Sequence, residues 1–236
     1  MAEAVPELVT LHLWQVPGSK VAAALLRMAL DRAAVRRTPG LRFAKMLGTG
    51  DGRTFTVRDA DPLRWGLLAT WTSTEAAASF ERDSTVAASW RRIAAEQWRA
   101  ELVPLAARGT WSGRQPFGAP VPRRTDGPVA AITRARLRAA RAPGFWRAVP
   151  PVSGDLAGRP GLRLAVGIGE APLGLQGTFS LWDSGAALNA FARDPAHADV
   201  VERTAPQRWY AEELFARFAV RATSGTLDGA DPAEAA

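Results

Sequence analysis

Apolar and polar residues alternate with a period of two along LVTLHLWQV (8–16), LRFAKMLG (41–48), RWGLLATW (64–71) and LVPLAARGTW (102–111). The same alternation returns along VAAITRARL (129–137), LRLAVGIG (162–169), LQGTFSLW (175–182) and ELFARFAV (213–220). Side chains two apart share one face of a strand, so these segments predict eight half-buried strands. Between them the period lengthens to that of a helix over 19–37, over 73 to about 98, near 144–157 and from 184 onward. The order is β-α-β-β-α-β, twice.

The two halves also match letter for letter in places. PGLRFAKMLGTG (39–50) pairs with PGLRLAVGIGEA (160–171), and TWTSTEAAASFERD (70–83) with LWDSGAALNAFARD (181–194). This aligns Trp71 with Trp182, Ser73 with Ser184, Phe80 with Phe191 and Asp83 with Asp194; further on, Trp98 falls opposite Trp209 and the Ser-Gly pair at 112–113 opposite that at 224–225. The chain therefore reads as a duplicated ferredoxin-like unit, residues 8–111 and 128–226, joined by the Pro/Gly-rich linker 112–127 and followed by a disordered tail, 227–236. One such unit has helices on a single sheet face and leaves the other apolar. Two units cover both, which predicts an α+β fold of tandem ferredoxin-like repeats forming a dimeric α+β barrel within one chain.

Composition narrows the chemistry. The 236 residues contain no cysteine, which removes disulfides, iron–sulfur clusters and thiolate ligands or nucleophiles. No signal-peptide pattern and no apolar run long enough to span a bilayer is present, so a cytoplasmic location is expected, with attachment to a membrane surface and self-association left open. The net charge is +7, yet all basic residues except Lys20 and Lys45 are arginines scattered along the chain. That dispersion argues against nucleic acid as a partner.

If the halves began alike, positions where one copy alone carries reactive groups are the candidates for function. His197, one of two histidines, stands where the first half has Val86. Asp194 and Pro195 form a helix start, which would put His197 in the first turn, where the helix dipole keeps an imidazole neutral and fit to bind a metal; a capping or surface histidine is the competing reading. Where the first half has Trp65, Leu67 and Ala69, the second has Gln176, Thr178 and Ser180, one polar row on one strand face. With Gly167 and Gly169 on the neighbouring strand, the row either lines a cavity for a flat ligand or faces water as an ordinary edge. Lys45, alternating with Phe43, is a candidate to point into such a cavity. His12, in mid-strand without a second ligand at metal-binding spacing, reads as structural or exposed.

RRTPGLRFAKMLGTGDGRTF, LVPLAARGTWSG, PVAAITRARL, FWRAVP, GIGEAPLGLQGTFSLW, AFARDPAHADVV and RWYAEELFARF occur in this order from about residue 10 to 225. Together they resemble the spheroidene monooxygenase family of carotenoid biosynthesis. The resemblance implies a haem-containing, O2-dependent oxygenase acting on a hydrophobic substrate, a carotenoid or other secondary metabolite. The expected fold is also similar to that of dimeric α+β barrel haem proteins, in which haem commonly lies between the sheet and the second helix of one unit, bound by a histidine. On that likeness His197 is the expected axial ligand of a haem b iron, with Gly167, Gly169 and Phe191 around the cofactor and Arg134 and Arg163 expected to pair with its propionates. Lys45, Gln176, Thr178 and Ser180 are the distal catalytic candidates. No flavin or nicotinamide motif is present, so a separate electron donor, a ferredoxin or reductase, is implied. Departures from the family pattern, such as Leu227 in place of an expected tryptophan, leave peroxidase, dehydratase or nitrogen-oxidising chemistry as the alternative, together with a non-catalytic haem- or lipophile-binding barrel.

Overall fold

The computed structural model describes residues 3–51, 59–137, 158–170, 177–194 and 210–234. The first half contributes β1 (Leu8–Gln15), α1 (Val21–Arg36), β2 (Leu41–Gly50), β3 (Ala60–Trp71), α2 (Thr74–Asp83), α3 (Thr85–Ile93) and β4 (Glu96–Gly109). The second contributes β5 (Val129–Leu137), β6 (Leu162–Gly169), β7 (Gly177–Trp182), α4 (Gly185–Ala192) and β8 (Tyr210–Gly225). The eight antiparallel strands close into one barrel in the order β1-β3-β2-β6-β7-β5-β8-β4. Each half supplies a four-stranded arc, and closure removes every sheet edge. Two seams join the arcs: β4 runs along β8 from Trp98–Gly225 to Gly109–Leu214, whereas β2 meets β6, among the described residues, through Gly48, Thr49 and Gly50.

Strand alternation decides which residues fill the barrel. Val9, Leu11 and Leu13 of β1, Phe43 and Leu47 of β2, Trp98, Ala100 and Leu102 of β4, Ile132 of β5, Phe179 and Leu181 of β7 and Phe218 of β8 form one buried cluster inside it. The lumen is thus a packed core. The outward face of the first arc carries Trp14, Met46, Trp65, Leu67, Ala69 and Trp71, buried beneath α1, α2 and α3 by Met28, Phe80 and Trp90.

The repeat is visible in detail. Ser73 and Ser184 each cap a helix by accepting a hydrogen bond from the amide three residues on. Trp71 meets Phe80 at 5.4 Å between centroids, and Trp182 meets Phe191 at 5.2 Å. The helix expected over 73–98 is broken, because Ser84 adopts an extended conformation and accepts hydrogen bonds from the Val86 and Ala87 amides, starting α3 afresh. Trp98 consequently lies on β4.

Each half ends in the same plug. After Gly109 and after Gly225 the chain makes a tight turn, Trp111-Ser112-Gly113-Arg114 and Leu227-Asp228-Gly229-Ala230, with both central residues at positive φ. The Glu212 carboxylate accepts from Thr110 Oγ1 (3.1 Å) and the Gly113 amide (2.7 Å); Glu96 accepts from Thr226 Oγ1 (3.2 Å) and the Gly229 amide (2.9 Å). Each glutamate therefore holds the plug of the opposite half. This equivalence corrects the alignment from sequence: GTWSG at 109–113 answers GTLDG at 225–229, and Leu214, not Trp209, occupies the place of Trp98. It also corrects the expected disordered tail. Leu227 is buried in the barrel core, and Asp231 accepts hydrogen bonds from Trp98 Nε1 (2.8 Å) and Thr223 Oγ1 (2.6 Å). The region read as a linker is packed at its start too, since Trp111 and Phe117 belong to the same core.

Candidate functional site

The outward face of the second arc differs from its twin. Thr178 and Ser180 alternate with the core residues Phe179 and Leu181, so they point out of the barrel. Thr178 pairs with Gly167 and Ser180 with Ala165 on β6, and with Thr133 and Ala131 on β5, which puts all six on one face. Gly169 continues it, opposite Gly48 across the β2–β6 seam. In the first arc the equivalent positions hold Met46, Trp65, Leu67 and Ala69 packed against helices. Among the described residues Gly167 stands for Met46, Thr178 for Leu67 and Ser180 for Ala69, so this face carries smaller or more polar side chains than its twin. At one end of this face α4 packs Leu188 on Trp182 and Val129, with Phe191 stacked on the Trp182 ring. Ser180 Oγ accepts a hydrogen bond from Trp182 Nε1 at 2.9 Å. Gln176 and His197 lie outside the described residues; Asp194, expected to cap the turn carrying His197, accepts from Arg159 Nη1 at 2.7 Å.

The remaining candidates are elsewhere. Lys45 lies on the inner side of β2, between Phe43 and Leu47 in the alternation, and its ammonium donates to Glu170 Oε2 (2.5 Å) and Ser112 Oγ (2.7 Å). Arg134 also points inward; 3% exposed, it donates to Glu212 Oε2 (2.8 Å) and Glu170 Oε1 (2.7 Å), with Trp111 under its guanidinium at 5.0 Å. Sheet thickness separates both from Thr178 and Ser180. Arg163 donates to Asp183 and to the Ala233 carbonyl of the C-terminal plug. The arginines expected to meet propionates thus have protein partners, because the strand register brings carboxylates within their reach.

Sequence reading missed the cluster these residues form. Lys45, Glu170, Arg134, Glu212 and Trp111 close the barrel end occupied by the first plug, and Trp111 Nε1 donates to Glu170 Oε1 at 2.5 Å. Burial disfavours the Glu212 carboxylate, but the Gly113 amide and the Arg134 guanidinium outweigh it and hold its pKa at about 2. Glu170 is likewise lowered, burial being overcome by Lys45 and Trp111. At the other barrel end the equivalent positions are Val166, Thr49, Leu13, Glu96 and Leu227. Apart from the shared glutamate, the signal was therefore present as further differences between the halves, unreadable without the register.

His12 is structural, 3% exposed, stacked on Trp14 and edge-on to Phe80, with Nδ1 3.5 Å from Glu81. Burial, then the neighbouring Arg99 and Arg91, lowers its pKa to about 3, so the ring is neutral. Among the described residues no group of three or more histidines and carboxylates is arranged to hold a metal ion.

A closed barrel of two ferredoxin-like halves, with one outward face relieved of bulk, defines a dimeric α+β barrel protein. Solved aldoxime dehydratases share this architecture: one aligns over 98% of this chain and 85% of its own with a TM-score of 0.58 at 11% identity, and aldoxime dehydratase OxdRE, solved with butyraldoxime, over 96% and 80% with a TM-score of 0.59. No family model matches the chain. Sequence relatives are nearer. The spheroidene monooxygenase of Rhodobacter capsulatus is 36% identical over 230 residues, 94% of each chain, and that of Rubrivivax gelatinosus 41% identical over 192 residues, 81% of this chain and 73% of its own. The chain belongs to the spheroidene monooxygenase family, and is an oxidoreductase of the monooxygenase kind.

Proposed function

We propose that this protein is a haem-dependent monooxygenase that introduces oxygen from O2 into a long hydrophobic substrate, a carotenoid or a related secondary metabolite. The observation that carries the reading is the outward face of β6 and β7. Gly167 and Thr178 stand there in place of the packed Met46 and Leu67 of the first half, Ser180 puts a hydroxyl where Ala69 has none, and Gly169, like its counterpart Gly48, carries no side chain. These residues fit a flat macrocycle: the glycines give close approach, and Phe191 and Trp182 form an aromatic wall at one end. His197 would hold the iron, the role the family resemblance gives it, and haem would supply O2 binding and activation with electrons from a separate donor. Thr178 and Ser180 bring hydroxyls to this face, each able to hold a proton at its side-chain oxygen, and the alternation in the sequence assigns Gln176 to the same row. Lys45 and Arg134 have no part in the proposal, since they face the barrel interior. Arg163 is excluded as well, being held by Asp183 and the C-terminal plug.

The test is the visible spectrum of the protein after haem supplementation, beside His197→Ala and Gly167→Met, the latter restoring the side chain present at Met46. A Soret band that shifts or collapses in His197→Ala and is absent from a folded Gly167→Met protein supports the site. A folded wild type that takes up no haem refutes it. Product formation from a lipophilic polyene with O2 and a reductase supports the reaction, and turnover with peroxide but not with O2 plus a donor refutes it.

A further inference from the structure

Helix α1 rests on the barrel through Ala24, Met28, Asp31 and Val35. Its opposite face is apolar. Leu25, Leu26 and Leu30 are 46%, 59% and 61% exposed. At 3.6 residues per turn they share roughly half of the helix circumference with the exposed Ala22, Ala29, Ala33 and Ala34. A surface helix ordinarily turns polar residues to solvent, so a continuous leucine and alanine face marks a surface that is covered in use. Its border is cationic: Arg27 and Arg32 flank the arc, Lys20 precedes it, and Arg36 and Arg37 follow. The helix's acidic residue, Asp31, is buried beneath it and pairs with Arg27 at 3.5 Å. An apolar strip fringed by cations, with no exposed carboxylate on the helix, complements a bilayer whose headgroups are anionic.

We propose that α1 is a docking helix that lies in the headgroup layer of an anionic membrane, with Leu25, Leu26 and Leu30 among the acyl chains. Sixteen residues span about 24 Å, short of a membrane crossing. No described helix is long and apolar enough to cross a membrane. The docking stands on α1 alone. Its value for catalysis rests on the proposed function: α1 packs on β2, β2 pairs with β6, and Arg32 donates to the Glu170 carbonyl just beyond β6. A membrane against α1 would therefore lie beside the Gly167 face, where a lipophilic substrate could pass from bilayer to site.

Flotation of the full chain with phosphatidylcholine vesicles, with and without phosphatidylglycerol, tests this without any turnover. The wild type should float with the anionic vesicles, and added salt should release it. Leu25→Ser/Leu26→Ser/Leu30→Ser should weaken the partition at least about tenfold, with circular dichroism and melting temperature unchanged because these side chains are exposed. Arg36→Gln/Arg37→Gln should cost roughly fivefold per charge. Failure of the wild type to float, or equal flotation of the triple serine variant, overturns the proposal. So does a wild-type dimer that ignores vesicles and becomes a monomer in the triple variant, which would mean that a second copy covers the face. Haem uptake by the same samples is scored separately, so loss of one property does not stand for the other.

Discussion

Arg134→Met removes the centre of the buried ionic cluster while keeping most of the side-chain length. In the native protein this guanidinium bonds Glu170 and Glu212 at 2.7 and 2.8 Å, and the Glu212 side chain is only 7% exposed. Methionine leaves the Glu212 charge with the Gly113 amide and Thr110 hydroxyl but without a cation. Breaking a buried pair from one side costs about 3 to 5 kcal/mol, a large part of the 5 to 15 kcal/mol that a domain has. The pH dependence supplies a sharper signature. The native Glu212 pKa of about 2 lies below its ordinary value of 4.5, so its contribution, on the order of 3 kcal/mol, is present above pH 4.5 and is lost as pH falls toward 2. In the variant the carboxyl titrates higher, protonates sooner and relieves its own burial. Urea unfolding followed by circular dichroism should therefore show the largest gap between the two proteins above pH 5, closing toward pH 3. Adding Glu212→Gln to the variant should recover part of the loss at neutral pH. A cost below about 1 kcal/mol, or a gap independent of pH, would refute the assignment of Arg134 as the cation that keeps Glu212 ionised.

Three further outcomes are expected. Because the His12 pKa falls from 6.5 to about 3 on folding, the unfolded chain binds its proton first and stability declines as pH drops below 6.5; His12→Phe should flatten the denaturation profile between pH 6.5 and 4. Gly225 has φ +81°, and a Cβ there would sit 2.1 Å from the Gln97 carbonyl oxygen, so Gly225→Ala should cost several kcal/mol in urea unfolding, whereas alanine at open Gly185 should cost under about 1. Trp98→Phe leaves Asp231 without its indole donor and should raise amide hydrogen exchange across 227–234 more than across β1.

Periodicity was enough to read eight strands, because alternation is a property of neighbouring residues, and the matching strings of the two halves added the duplication from which the barrel was expected. Strand identity also predicted that Thr178 and Ser180 share a face. The same rule places Lys45 with Phe43 and Leu47, but which side of a closed barrel that face looks upon depends on closure, and Lys45 faces the interior. The partners of Arg134 and Lys45 were illegible for a related reason: Glu170 and Glu212 are 36 and 78 residues from Arg134 in the chain, and the register alone unites them. The break at Ser84 in the helix expected over 73–98 was illegible because a single serine competing for helix amides leaves no mark on the hydrophobic period. The 227–234 segment has the composition of a free tail, yet Leu227 and Asp231 give it one anchor in the core and one on Trp98.

Glu212 fastens the plug of the first half and Glu96 that of the second, so neither arc is complete without a carboxylate from the other. Such reciprocity is what an ancestral pair of identical subunits would have needed to find each other at dilute concentration. Joining them in one chain raises the effective concentration of one half for the other to the millimolar range and makes assembly indifferent to dilution. It also ends the obligation of symmetry. In a homodimer any substitution that opened one outward face would have opened both, and the cost of two emptied layers would have fallen on one fold. With the halves fused, Met46 and Leu67 can keep one face packed while the other carries Gly167 and Thr178 at the same positions, so that one half serves as the ballast that lets its sibling change.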